Sequence, residues 1–294
     1  MRRWAWVLAV GAGAALASCG PRRPTVVATP HYVIGAPYQA GGAWYYPHEA
    51  FRYDATGLAE RLPDRRGQTA DGEVFDPAGM AGSHQTLQLP AIARVTNLQN
   101  GRRIRVRLND RGPDNPGRII GLTRRAADLL DLPPDGAAPV RVEVESGPSQ
   151  ALRDRLQGGP KGITAAPVGA VLAESLPAPG SRAAPVRVAP APAQDIAAPS
   201  ADLEVPDQLP PTVEQTPLQP GRLWLRAGQF SQPGYANAVK TNLSLLPVEV
   251  RREQEGRTAS FVVMAGPFAS VAAADRALDQ ARSAGVTDAV IVVE

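Results

Sequence analysis

Between Gly147 and Pro220 the chain runs for about 74 residues without one aromatic side chain, and Pro and Ala dominate, as in Ala189-Pro190-Ala191-Pro192. Such a stretch cannot bury enough apolar surface to offset the entropy of ordering it. It reads as a disordered linker with polyproline II character, spanning roughly 50 Å as a coil and about 200 Å if stiffly extended. A short helix over Gln150 to Leu156 is compatible with its start. The linker, 147–220, divides the 294 residues into two small folding units, 51–146 and 221–294. The net charge of +3 does not imply a nucleic-acid partner. The chain has 1 cysteine and so no intrachain disulfide.

That cysteine, Cys19, follows an export signal: Arg2 and Arg3, then the apolar run Trp4 to Ala17, then Leu16-Ala17-Ser18-Cys19. The apolar run is shorter than the ~20 residues a transmembrane helix needs and suits a signal-peptide core. Leu, small, small, Cys resembles a bacterial lipobox, which implies a signal peptide over 1–18 and acylation of Cys19. Gly20 stands where Asp would direct retention in the inner membrane, so an outer-membrane lipoprotein facing the periplasm is expected. Residues 19–50 form a tether and an aromatic arm. Tyr32, Tyr38, Trp44, Tyr45, Tyr46, Phe51 and Tyr53 crowd into 22 residues. They either staple the arm onto the following domain or form a sugar-stacking platform.

In the first domain, Asn100-Gly101 is a hairpin signal between the strand Ala91 to Asn97 and the alternating Arg103 to Leu108. Ile104, Val106 and Leu108 face a core; Arg103, Arg105 and Arg107 form an outward stripe, read as a solvated face. Arg118 to Ile120 and Pro139 to Val144 read as further strands, and Leu122 to Leu132 as a helix with Thr123 as N-cap. Short strands with one short helix suggest a small barrel.

Five motifs follow in order: Thr69 to Asp76, Ser83 to Leu87, Val95 to Gly101, Asn109-Asp110-Arg111-Gly112-Pro113, and Gly117 to Ile120. Together they resemble the double-psi β-barrel of the rare lipoprotein A family, the septal lytic transglycosylases, over roughly residues 55 to 145. The resemblance places Glu73, His84 and Asp110 on the family's active-site acid, histidine and aspartate positions. It implies cleavage between N-acetylmuramic acid and N-acetylglucosamine, with the muramoyl C6 hydroxyl attacking its own C1 to leave a 1,6-anhydro end. One carboxyl can serve as acid and then base, because the base is needed only after the acid has given its proton. Asp110 is the candidate for that role, Glu73 for orienting sugar or stabilising oxocarbenium-like charge, and His84 for fixing a carboxylate or binding substrate. Two departures stand out. Glu60-Arg61-Leu62-Pro63 follows Gly57-Leu58-Ala59 in place of the family's aromatic stretch, and Gly121 stands where an aspartate usually follows Arg-Ile-Ile. A glycan binder that does not cleave is the alternative reading.

In the second domain Trp224 to Phe230 echoes Val262 to Phe268, each a strand ending Ala-Gly-x-Phe before an Ala-rich helix. The order βαββαβ predicts a ferredoxin-like sheet with helices on one face. It resembles a SPOR domain, which implies binding to glycan strands stripped of stem peptides. Trp224 and Arg226 should lie on the open face with Val262 and Met264, while Leu225, Ala227, Val263 and Ala265 point inward; Trp224, Arg226 and Gln229 are the candidate sugar contacts. The expected fold class is thus mostly β plus α+β. The expected partners are denuded peptidoglycan strands, the membrane through the N-terminal lipid, and division proteins at the septum. No nucleic-acid partner, cofactor or metal is implied, since no cluster has ligand spacing.

Overall fold

The computed structural model describes residues 26–134, 136–158, 208–255 and 258–294. The export signal, Cys19 and most of the Pro/Ala stretch lie outside the described residues.

The first domain contains a hairpin of β1 (Tyr38–Ala40) and β2 (Ala43–Tyr45), then β3 (Asp54–Arg61), β4 (Ala81–His84), β5 (Ala91–Asn97), β6 (Arg102–Asp110), β7 (Ile120–Leu122), helix α1 (Arg124–Leu129), β8 (Ala137–Val144) and helix α2 (Ser146–Leu156). Strands β4-β7-β3-β8-β5-β6 are hydrogen-bonded in that order, and β6 returns to β4, closing a six-stranded barrel. The β3–β7 and β4–β6 pairs are parallel; the others in the ring are antiparallel. Closure removes the unpaired edges an open sheet would leave.

Alternation fills the barrel as the sequence predicts. Ile104, Val106 and Leu108 are buried with Leu87, Ile92, Val95, Ile120, Leu122 and Val140. The arginine stripe divides. Arg103 and Arg105 pair with Glu143 and Glu145, at 3.9 and 2.7 Å, whereas Arg107 is buried. The predicted helix from Leu122 starts later, because Gly121 and Leu122 are taken as strand by β3 and β4. Thr123 makes no side-chain cap bond; its hydroxyl donates to the carbonyls of Gly79 and Ala81.

Both described ends of the 147–220 stretch carry structure. Helix α2 buries Leu152 in the barrel core, and its Ser149 Oγ accepts from the Ile92 amide at 3.0 Å. At the other end Leu209 is buried in the same core, and β9 (Val213–Gln215) pairs with Arg102–Ile104, extending the edge of β6 beyond β4. Buried leucines and a β partner supply what the proline-rich composition alone does not.

The second domain runs β10 (Leu223–Phe230), α3 (Pro233–Asn242), β11 (Val248–Glu255), β12 (Thr258–Phe268), α4 (Val271–Ser283) and β13 (Val290–Val293), with sheet order β11-β12-β10-β13. This is the βαββαβ order read from the sequence. Leu225, Ala227, Val263 and Ala265 pack in the cluster that holds Ala236, Ala274 and Leu278 of the helices, and Val262 and Met264 form a separate cluster with Trp224 and Val292. The domain sits against the barrel. Thr56 Oγ1 donates to the Val293 carbonyl at 2.8 Å and accepts from its amide at 3.0 Å. Arg118 makes a two-pronged pair with Asp275 of α4 at 2.7 and 3.0 Å.

Candidate active site

The loop from Leu62 to Met80 folds back over the C-terminal half of β6, and its tip is held from both sides. The Asp71 amide donates to the Asn109 carbonyl at 3.2 Å. From the arm, the Thr29 and His31 amides donate to the Gly72 and Asp71 carbonyls, each at 2.8 Å. Gly72 has φ +82°, and a Cβ there would lie 2.2 Å from the Thr29 carbonyl oxygen, so this close crossing requires glycine.

The loop brings three carboxyl groups onto the end of β6. Asp110 Oδ1 accepts from the Ala70 and Arg111 amides at 3.0 and 2.9 Å, and its Oδ2 is held by the Arg65 guanidinium. Glu73 Oε1 meets Arg107 at 2.5 Å and Oε2 accepts from Asn109 Nδ2 at 2.8 Å. Arg107 and Asn109 are two apart on β6 and share a face, which is why one carboxylate spans both. The third is Asp71, which lies within the Thr69 to Asp76 motif but is not among the candidate site residues read from the sequence. It is fully buried. Its Oδ1 accepts from Thr69 Oγ1 at 2.7 Å and from the Glu73 amide at 3.2 Å, and its Oδ2 has no partner among the described residues. Burial, with the Glu73 charge second, raises its pKa to about 6. The sequence signal that could have found it is the Thr69-x-Asp71-Gly72-Glu73 spacing, an Asx turn whose acid is tied to the next acid's amide.

His84 is not joined to that network through its ring. Ser83, its neighbour on β4, pairs with Asp110, but the imidazole is buried on the barrel's other face with Ile120. Nδ1 accepts from the Thr86 and Leu87 amides at 3.1 and 3.2 Å, which puts the proton on Nε2, 3.1 Å from the Tyr53 hydroxyl. Burial, and then the Arg111 charge, lower its pKa to about 3. It is a neutral ring that orients Tyr53.

The two departures noted in the sequence meet each other. Gly121 pairs with Glu60 of β3 and Ser83 of β4. A Cβ on Gly121 would lie 2.4 Å from Leu62 Cδ2 and 2.6 Å from Ser83 Oγ. Leu62 therefore fills the space a side chain at 121 would need.

The arm divides between the two readings offered for it. Tyr38 and Tyr45 stack on each other with ring centroids 5.4 Å apart. The Tyr38 hydroxyl donates to the Gln85 carbonyl at 2.9 Å, and Tyr45 accepts from Gln85 Nε2 at 3.1 Å. Trp44 and Tyr46 remain 58% and 64% exposed. The second-domain candidates also separate. Trp224 carries the Arg251 guanidinium 4.3 Å from its ring centroid, with Arg251 reaching over β12 and held by Glu249 and Glu294. Gln229 donates to Ser260 Oγ at 2.9 Å. Arg226 is exposed and faces the barrel. Among the described residues no group of His, Cys, Asp and Glu could hold a metal ion.

Comparison with known proteins follows the same division. Residues 39–142 match the family model described as "Lytic transglycolase", and residues 219–292 match the SPOR domain model. A Pseudomonas aeruginosa PAO1 protein named "Endolytic peptidoglycan transglycosylase RlpA" is 34% identical over 285 residues, covering 92% of this chain and 81% of that protein. The Escherichia coli K12 protein of the same name is 45% identical over 97 residues, covering 32% of this chain and 27% of its own. A solved structure described as "Crystal structure of RlpA SPOR domain from Pseudomonas aeruginosa" is 27% identical, covers 24% of this chain and 96% of its own, and has a TM-score of 0.23.

Proposed function

The chain belongs to the RlpA family, and from that premise we propose that it is an endolytic peptidoglycan transglycosylase whose C-terminal domain holds the same polymer. The observation that carries this reading is the match over 92% of the chain to a relative of that name. The end of β6 supplies fitting chemistry, with carboxylates of Asp110 and Glu73 anchored on one loop.

In the proposed reaction Asp110 gives a proton to the departing oxygen as the C1–O bond of N-acetylmuramic acid breaks. It then takes the proton from the C6 hydroxyl as O6 bonds to C1, so no water is consumed. Arg65, with its side chain 38% exposed, is the partner that an incoming sugar strand displaces from Asp110. Glu73, fixed between Arg107 and Asn109, supplies a stationary negative charge beside the oxocarbenium-like centre. Asp71 sets the position of Glu73 through its amide. Neutral His84 orients Tyr53. Acylation of Cys19 would anchor the protein in the outer membrane, and glycan binding by the SPOR domain would concentrate it at the septum.

A second reading, a barrel that binds glycan without cleaving it, is favoured by one observation: an acid at the position after Ile120 would have to displace Leu62. Mass spectrometry of amidase-treated, peptide-free peptidoglycan incubated with the protein separates the two. Anhydro-ended oligosaccharides are expected; intact strands that co-sediment with the protein would establish the binder.

A further inference from the structure

A cavity of about 530 Å³ opens beside the loop that carries Glu73, and its volume is in the range of small-molecule sites. Val26 of the arm, Val74, Phe75 and Pro77 give it an apolar lining, and Arg65 and Arg66 complete it. Asp110 does not line the cavity, but Arg65 does, and Arg65 also holds Asp110 Oδ2.

The Arg65 guanidinium covers two groups at once. Its Nη2 donates to Asp110 Oδ2, its Nη1 donates to the Gln68 carbonyl at 3.0 Å, and its Cζ lies over the Phe75 ring, 4.8 Å from the centroid. The chain brings the two side chains together: the Phe75 amide donates to the Gly67 carbonyl at 3.0 Å, and Gln68 bridges Val74. Phe75 is only 8% exposed, yet it belongs to none of the buried apolar clusters of the described residues. Its ring lies under Arg65 rather than in the core. Asp110 Oδ2 is in the same position. Oδ1 is tied to the Ala70 and Arg111 amides, whereas Arg65 is the one hydrogen-bond partner of Oδ2 among the described residues.

We infer that Arg65 is a shutter, and that a pyranose ring of the strand lies on Phe75 when the shutter opens. The inference rests on the proposed cleavage at Asp110 and names what positions the sugar there and what must move to admit it. A pyranose has an apolar C–H face and hydroxyls at its edge, which suits an aromatic floor with the Arg66 guanidinium beside it. Oδ2 gives a proton to the departing oxygen only when it carries one, and an oxygen accepting from Arg65 is not donating to a sugar. An ion pair and a cation–π contact made by a partly exposed side chain are each weak, so a strand that supplies stacking and hydrogen bonds displaces both together. One movement therefore uncovers the acid and the ring that places the sugar beside it.

The test is a titration of the full chain with a peptide-free tetrasaccharide of alternating muramoyl and glucosamine units, followed by NMR. The Nε–H resonance of Arg65, assigned by its loss in Arg65→Ala, should move as the sugar saturates the protein. Phe75→Leu, which keeps an apolar side chain, should raise the midpoint of that movement, and KM, roughly tenfold. Arg65→Ala should lower KM roughly fivefold, because the strand no longer competes with the latch; loss of a merely structural side chain does not tighten binding. An Arg65 resonance unmoved at saturation, a KM that rises in Arg65→Ala, or a Phe75→Leu midpoint equal to that of wild type would overturn the shutter. Anhydro products are scored separately. Products with an unmoved Arg65 resonance would sink this inference alone; no products with a resonance that moves, and a midpoint raised by Phe75→Leu, would sink only the catalytic reading.

Discussion

Ser83 stands between two positions of contrasting character. On one side it pairs with Asp110, on the other with Gly121. The Asp110 side is crowded with charge: Arg65, Asp71 and Glu73 of one loop gather there with Arg107 of β6. On the Gly121 side the space is taken by Leu62 and the Ser83 hydroxyl. The lesson is that acid chemistry in this barrel is gathered at the end of β6 and not at the neighbouring Gly121. The two departures in β3 and β7 make a single packing change. Leu62 occupies the space a side chain at 121 would enter, and the glycine at 121 leaves Leu62 that place to lie.

The largest effect should come from removing the acid on the charged side. Asp110→Asn is expected to lower the yield of anhydro products about a thousandfold, in line with loss of a general acid/base. Undiminished yield would move catalysis off Asp110. Next is the buried support. Arg107→Ala leaves Glu73 without its 2.5 Å partner and should destabilise the barrel by about 3 kcal/mol in denaturant titrations. The same change at Arg103, whose Glu143 contact is 3.9 Å, should cost at most about 0.5 kcal/mol. Equal costs would mean that the loop does not bury one end of the stripe.

The Gly121 side can be challenged by adding an acid. Gly121→Asp must push Leu62 aside and should cost about 2 kcal/mol through overpacking, with no gain in product. Adding Leu62→Ala should recover part of that stability. A stable and faster Gly121→Asp variant would show that the Gly121 side was open to catalysis after all.

The most gradual effect is a pH slope shared by two buried groups. Asp71, raised to about 6, holds a proton in the folded state that the unfolded chain has lost above about pH 4, so its contribution to stability falls as pH rises through that window. His84, lowered to about 3, remains neutral where the unfolded chain takes up a proton, so its contribution falls as pH drops below about 6.5. Between about pH 4 and 6 the two slopes, each at most about 1.4 kcal/mol per unit, oppose one another. Asp71→Asn removes one of them. Its unfolding free energy should then drop more steeply than that of wild type on acidification over this range, and parallel curves would show that Asp71 is not buried as an acid.

The sequence by itself determined whatever depends on periodicity and turn chemistry. Alternation in Arg103 to Leu108 assigned the barrel face, Asn100-Gly101 set the hairpin, and the internal repeat set the βαββαβ order and the two faces of the second sheet. These are local rules, because the period of a strand or helix is fixed by the backbone. The order of motifs also carried the family, which the comparisons establish. Only the tertiary structure decided who meets whom. It set Glu73 between Arg107 and Asn109, and buried Asp71 with one oxygen unpartnered. It turned the His84 ring toward Tyr53 and zipped Val213–Gln215 onto β6 across more than a hundred residues of sequence. It placed Leu62 in the space beside Gly121 and Arg226 in the lining of one cleft with the exposed rings of the arm. Each of these depends on barrel closure and domain docking. Both bring together residues far apart in the chain, and no local pattern of side chains encodes that.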